Sequence, residues 1–265
     1  MSNKQIRYLA NITLSCLGVI FLAIVVLRAS LLSITHDEAY TYLYYMRLGV
    51  DEIMLYKGPP IPNNHILNTL LAKLSVWLFG LSTFNLRLPN VLFAILFFFY
   101  AGLLAKEMKT LFGQIAAFVI ICSHVFFFDF FPLARGYGMG LALLLAGVYH
   151  FYMYRKLQNG HHLYRTLIFC ALAAYANFTF LYAYLAIVVV LNFVAYTDDV
   201  QGFKNWWVIN RSILSVSAVS AIFMVPPLLK IQNNLFGGET NFWNDTVETL
   251  TWSLLYNQDT FHTAA

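Results

Sequence analysis

Long apolar runs separated by short polar punctuation dominate this chain. A bilayer core demands about 20 apolar residues of a helix that crosses it, and the runs over residues 9–34, 86–105, 111–131 and 136–154 each predict one such span. The run over 164–196 is too long for one untilted span and short for two, and Asn177-Phe178-Thr179 interrupts its middle. Two short helices joined by a turn at Asn177 are expected there, because non-helical backbone is tolerated at membrane depth when protein covers it. The last run, 209–229, ends at Pro226-Pro227, a pair that should end or kink its helix. The pattern predicts an all-α fold, a polytopic transmembrane helical bundle of about seven spans over residues 1–232, with 233–265 starting a further outer loop.

Between the first two spans lies a long loop, 36–85, with structure of its own. Residues 39–48 carry Tyr40, Tyr42, Tyr44 and Tyr45, amphipathic rings suited to headgroup level, and predict a short helix along the interface. The strip Lys57-Gly58-Pro59-Pro60-Ile61-Pro62-Asn63-Asn64 cannot be helical. Residues 65–79 then place Leu67, Leu70, Leu71, Leu74 and Leu78 at helical spacing with Lys73 off the stripe, and at ~1.5 Å per residue the segment is short for a span and better as a second interfacial helix. A last surface helix is expected around Trp243, Val247, Leu250, Leu254 and Leu255.

Composition agrees: 60% of the 265 residues are hydrophobic and 11% charged, against about 25% charged in a soluble domain. No soluble core remains to be counted, and nucleic acid is an unsuitable partner. Cys16, Cys122 and Cys170 fall inside apolar runs without paired spacing and read as small core residues. His161-His162 sits among Arg155, Lys156 and Arg165 and reads as a basic loop rather than a metal site.

Charge distribution gives a sidedness. With the N-terminus cytoplasmic, nine basic residues fall inside and six outside, with Arg28 in the first span. The acids are more lopsided: Asp37, Glu38, Asp51, Glu52, Asp129, Glu239, Asp245, Glu248 and Asp259 lie outside, against Glu107, Asp198 and Asp199 inside. Among the outer acids, Asp37 and Glu38 stand out, two carboxylates directly after the first span in Thr35-His36-Asp37-Glu38-Ala39-Tyr40. Carboxylates near hydrocarbon either look out to water, cap a helix at its positive end, or line a site.

Four motifs in order carry a resemblance. They are Asp37-Glu38 after the first span, Pro62-Asn63-Asn64-His65-Ile66-Leu67, Phe84-Asn85-Leu86-Arg87-Leu88-Pro89-Asn90, and Leu133-Ala134-Arg135-Gly136-Tyr137-Gly138-Met139. The chain, over roughly residues 9–229, resembles the C superfamily of membrane-embedded glycosyltransferases, in its protein O-mannosyltransferase and aminoarabinose-transferase-like branch. The resemblance implies inverting transfer of a sugar from a polyprenyl-phosphate donor to a hydroxyl acceptor, on the extracytoplasmic face of a membrane, expected to be a bacterial inner membrane. Members are usually longer, so it also implies that this is an N-terminal fragment. Their metal use varies, which leaves a divalent ion at Asp37 open.

Under that resemblance Asp37 is the base that takes the acceptor's proton, with Glu38 and His65 as its catalytic neighbours. Adjacent helix residues do not face the same way, so Glu38 would instead hold the loop or a basic partner such as Arg87. Arg87 and Arg135 at the outer ends of two spans, and Lys57 in the turn strip, are expected on the donor phosphate, although arginines at such positions also snorkel to headgroups. Asp129, inside Phe126-Phe127-Phe128-Asp129-Phe130-Phe131, would line the substrate cavity with Tyr137 and Asn64 and orient the acceptor. Relatives of the aminoarabinose type place a further acid after the Arg-Tyr motif, where this chain has glycines and Met139. A transporter or flippase of a lipid-linked or anionic substrate is the alternative, suggested by Asp129 and the break at Asn177, and a non-catalytic assembly subunit is a third.

Overall fold

The computed structural model describes residues 3–59, 63–197 and 202–231. The helix expected around Trp243 lies outside the described residues. The elements in chain order are α1 (Asn3–Leu31), α2 (His36–Tyr40) continuing into a π-helical turn (Thr41–Tyr45), α3 (Val50–Met54), α4 (Ile66–Phe79), α5 (Thr83–Ala105), α6 (Leu111–Cys122), α7 (Val125–Phe130), α8 (Gly136–Leu157), α9 (Gly160–Ala176), a 3₁₀ turn (Phe178–Phe180), α10 (Leu181–Thr197) and α11 (Gly202–Ile231). No strand occurs among the described residues. Four stretches are long and apolar enough to cross a membrane: Tyr8–Leu31, Thr83–Ala105, Phe178–Tyr196 and Trp206–Ile231. Together they mark a helical membrane protein.

Other expected spans differ. The run over 111–131 is broken at Ser123-His124: α6 stops at Cys122, and the His124 imidazole accepts from Phe126 N at 3.2 Å to start α7. The turn at Asn177 forms, with its side chain accepting from Thr179 N at 3.0 Å. Pro226-Pro227 does not end α11, which runs on to Ile231. Each proline forfeits only the bond its own N–H would have made to the carbonyl four residues earlier, and the helix continues past them.

The core is built from small residues that let helices approach and rings that fill the remainder. Between α1 and α5, Ala29, Ala94 and Ala101 are fully buried, while Phe97, Phe98, Phe118 and Phe131 close the space towards α6 and α7. Across α8 and α9, a Cβ on Gly147 would come within 2.5 Å of Cys170 Sγ. Cys122 and Cys170 are core residues, whereas Cys16 is exposed on α1, opposite the face that packs on α5.

Helix α4 forms where the leucine spacing expects a helix. Its buried face is Ile66, Asn68, Thr69, Ala72 and Ser75, and Leu74, Trp77, Leu78 and Phe79 are exposed. Along the leucine stripe Leu74 and Leu78 are exposed while Leu67, Leu70 and Leu71 are half-buried at the rim of apolar clusters, and the stripe that carries Asn68, Thr69 and Ser75 faces in. Each buried polar group finds a partner: Asn68 donates to Ala134 O at 3.0 Å, Asn90 donates to Asn68 at 2.6 Å, and Thr69 donates to Asn64 at 2.9 Å. Ser75 Oγ donates to Asn85 O at 2.6 Å. Pro89, four residues on in α5, lacks the N–H that would have met that carbonyl, and the α4 serine replaces it.

Candidate functional site

Helix α1 ends with carbonyls that have no partner in their own helix, and Arg87 from α5 supplies one. Its Nη1 donates to Ala29 O at 3.0 Å and Leu32 O at 2.8 Å, and its Nη2 to Ser33 O at 2.9 Å. The same guanidinium grips Glu38, Nε to Oε1 at 2.8 Å and Nη2 to Oε2 at 2.7 Å. Glu38 closes a capping box on α2 by accepting from Thr35 N at 2.9 Å, and it accepts from Ala134 N at 2.7 Å just before α8. Both side chains are 0% exposed. Burial pushes the Glu38 carboxyl up, but the Arg87 hydrogen bonds and the two backbone N–H groups outweigh it and hold it below the usual carboxylate range.

This knot corrects Arg87 as a phosphate ligand and Glu38 as a catalytic neighbour, and it agrees with the expectation that Glu38 holds a basic partner such as Arg87. Every N–H of Arg87 is committed to protein acceptors, which leaves no donor for a phosphate. Both Glu38 oxygens are occupied away from solvent, so Glu38 has no access to a reacting group. Its role is to tie the end of α1, α2, α5 and the turn before α8 into one body.

One residue earlier, Asp37 points the other way, because successive positions on a helix are about 100° apart. Its side chain is 47% exposed and pairs with the Arg135 guanidinium, itself 14% exposed. Asn63 donates to the Asp37 carbonyl at 3.3 Å, and His36 Nδ1 lies 3.5 Å from the carboxylate. Arg135 is the N-cap residue of α8 and lies 5.4 Å over the Tyr137 ring, and its Nε is buried without a hydrogen-bond partner. The edge of Tyr137 meets the His65 ring at 5.2 Å. His65 is buried, its Nε2 has no partner among the described residues, and burial pushes its imidazole down to about 4.

Gly136 makes this convergence feasible. A Cβ there would sit 2.0 Å from Ala176 O and 2.9 Å from His65 Cβ, so the start of α8, the end of α9 and the start of α4 meet only across a residue without a side chain. Asp37, Arg135, Tyr137 and His65 thus form one cluster at one end of the bundle.

The remaining candidates fall elsewhere. Asn64 is structural: its side-chain amide donates to Ile53 O at 3.2 Å, its backbone N–H donates to the Tyr56 hydroxyl oxygen at 3.1 Å, and its Oδ1 accepts from Thr69, pinning α3 to α4. Lys57 pairs with Asp51 at 3.3 Å on the surface of α3. Asp129 is not turned to the cluster; Arg28 takes its carboxylate at 2.7 Å, both side chains about half exposed. A divalent ion at Asp37 does not fit, because a guanidinium stands where further anionic ligands would be needed, and no group of three or more His, Cys, Asp or Glu side chains suited to a metal occurs among the described residues. Sequence reasoning missed Asn63 as a site residue, although it stood in a quoted motif, and missed the inward polar stripe of α4, whose 68, 69, 72, 75 spacing was readable.

Beside the cluster an apolar cleft of about 550 Å³ opens between α4, α9 and α11. Leu67, two residues from His65, forms part of its wall with Tyr175, Val219 and Phe223. The Tyr175 hydroxyl is buried there without a partner.

Compared with family models, with curated proteins and with solved structures, the chain matches none of them. The fold and the apolar helices define the class, an all-helical membrane protein, and the function rests on the cluster itself.

Proposed function

We propose that the chain is the catalytic part of a membrane glycosyltransferase of the C-superfamily type, which moves a sugar from a polyprenyl-phosphate donor to a hydroxyl acceptor with inversion. The observation that carries this reading is the Asp37–Arg135 pair, a partly exposed carboxylate against an arginine with an uncommitted buried Nε, beside a buried, neutral His65. The apolar cleft that starts at Leu67 supports a substrate that brings its reactive group on a lipid. Helices α2, α3 and α4 would lie along the outer membrane interface and roof the site.

In this reaction the donor phosphate displaces the Asp37 carboxylate from Arg135 and takes its place as the guanidinium's anion. Asp37, released, accepts the proton of the acceptor hydroxyl as its oxygen bonds to the anomeric carbon. The bond from that carbon to the phosphate oxygen breaks, and its electron pair leaves with the phosphate, which Arg135 steadies. His65 and Tyr137 hold the sugar through the unpartnered Nε2 and the phenol.

The test is transfer of radiolabelled sugar from a panel of polyprenyl-phosphate sugars to endogenous acceptors, in membranes carrying wild type or Asp37→Asn at matched protein level. Transfer lost in the variant supports the reading. Equal transfer by the two refutes Asp37 as base, and no transfer by either, with any donor, moves the function to transport of a lipid-linked substrate.

A further inference from the structure

The end of the bundle remote from Asp37 holds a second polar cluster that the transfer reaction does not use. His150 lies fourteen residues beyond Gly136 in α8, ~21 Å along the helix axis. It is buried, and its Nδ1 lies 2.9 Å from the Nδ1 of His162 at the start of α9, while its Nε2 lies 3.2 Å from the Tyr100 hydroxyl on α5. A cleft of about 520 Å³ opens over this chain of rings, lined by Tyr149, His162 and Arg165 on its polar side and by Phe99, Leu103 and Ile168 on its apolar side.

No carboxylate faces the cluster among the described residues. Glu107, an acid at this end of the bundle, is taken by Lys156 at 2.6 Å and Tyr152 at 2.8 Å. Arg165 is exposed and has no acidic partner among the described residues. An exposed guanidinium beside two imidazoles and two phenols, with no counter-charge among the described residues, is a surface suited to an anion.

The hydrogen-bond chain explains how the histidines contribute. When the Tyr100 hydroxyl donates to His150 Nε2, His150 must carry its proton on Nδ1 and donate it to His162 Nδ1. His162 then carries its own proton on Nε2. The order of the rings, with His150 buried and His162 partly exposed, delivers a donor to the cleft beside Arg165.

We infer that this cleft binds a phosphate group, Arg165 as its cation and His162 Nε2–H as its second donor, with the phosphate carried on an anionic lipid headgroup whose tail lies along Phe99, Leu103 and Ile168. Those apolar walls favour the lipid over free phosphate, since Phe99 and Ile168 are exposed on the outer side of the bundle. The site is independent of the proposed transfer chemistry at the other end.

The experiment uses the full chain purified in a neutral maltoside, titrated with short-chain phosphatidylglycerol, short-chain phosphatidylcholine and inorganic phosphate, with binding read from the histidine ¹⁵N resonances. Phosphatidylglycerol is expected to bind, to weaken roughly tenfold or more in Arg165→Gln, as for loss of a charge-assisted hydrogen bond, and less in His162→Gln and Arg165→Lys. Lys106→Gln, a cation that lines a different cleft, is expected to bind as wild type does. Inorganic phosphate binding as tightly as the lipid, with the same Arg165 dependence, would retain the phosphate site and overturn the lipid as its source. Equal binding of phosphatidylcholine, unchanged binding in Arg165→Gln, or equal loss in Lys106→Gln would each overturn the site. Arg165 is exposed, so its variants leave the fold intact, which their thermal unfolding checks.

Discussion

Two carboxylate–arginine pairs stand next to each other in this protein and do opposite things. Glu38 and Arg87 are fully buried and fully committed, whereas Asp37 and Arg135, starting one residue away, remain partly exposed with an arginine Nε to spare. A buried pair is costly to break because the survivor is left charged in a low dielectric. In the second pair it is mainly the carboxylate that reaches water, 47% exposed against 14% for Arg135, so separating it costs less than breaking the fully buried pair provided another anion takes the place of Asp37 on the guanidinium, as a site that exchanges its carboxylate for a substrate phosphate does. The buried pair fixes the position of the exposed one, since the Ala134 N–H bound by Glu38 immediately precedes Arg135.

The largest effect should come from breaking the buried pair. Glu38→Gln leaves Arg87 uncompensated and should cost about 3–5 kcal/mol, read as a large fall in thermal stability in detergent. Glu38→Met combined with Arg87→Met should recover much of that loss, because an apolar pair of similar volume leaves no stranded charge. If the double variant is as unstable as the single one, the pair's hydrogen bonds to the α1 carbonyls matter more than its charge balance.

Arg135→Gln sharpens the contrast from the other side. It should leave unfolding nearly unchanged and lower sugar transfer by about 10²–10³, the scale for a lost transition-state anion donor. Acid sensitivity should divide by residue as well. His65 is held near 4 in the fold against 6.5 in an unfolded chain, so the stability it gives above 6.5 fades as pH falls from there towards 4. Glu38 is held below its ordinary 4.5, so its contribution is full above 4.5 and is lost only as pH falls through its lowered value. His65→Gln should therefore remove the upper limb of a stability–pH curve and leave the lower one. The smallest change is Ser75→Ala, which strands the Asn85 carbonyl opposite Pro89 and should cost about 1–3 kcal/mol.

How much of this was legible depended on what the surroundings were. The runs over 9–34, 86–105 and 209–229 were readable as helices because length and apolarity suffice, and the Asn177 turn because the run over 164–196 is too long for one span and carries Asn177 and Thr179 in its middle. That Asp37 and Glu38 face apart followed from helix geometry alone. That Glu38 would be the one to hold Arg87 was expected from the resemblance, but its full burial was not, because that depends on Arg87 lying under the end of α1. Arg87 and Arg135 looked alike in sequence, each at the end of a span, and only packing separates a committed guanidinium from an available one. The leucine stripe of α4 had the right period, but period does not say which face packs: Leu74 and Leu78 are exposed while Asn68, Thr69 and Ser75 are buried. Asp129 read as a costly intramembrane acid, but its answer, Arg28, was a hundred residues away.

The most direct test of the contrast is thermal unfolding and sugar transfer measured on the same preparation of Asp37→Asn. The account predicts an unfolding curve close to wild type with transfer reduced by about 10²–10⁴, the range for a lost general base. A variant that unfolds as readily as Glu38→Gln, or that transfers sugar as wild type does, would contradict it.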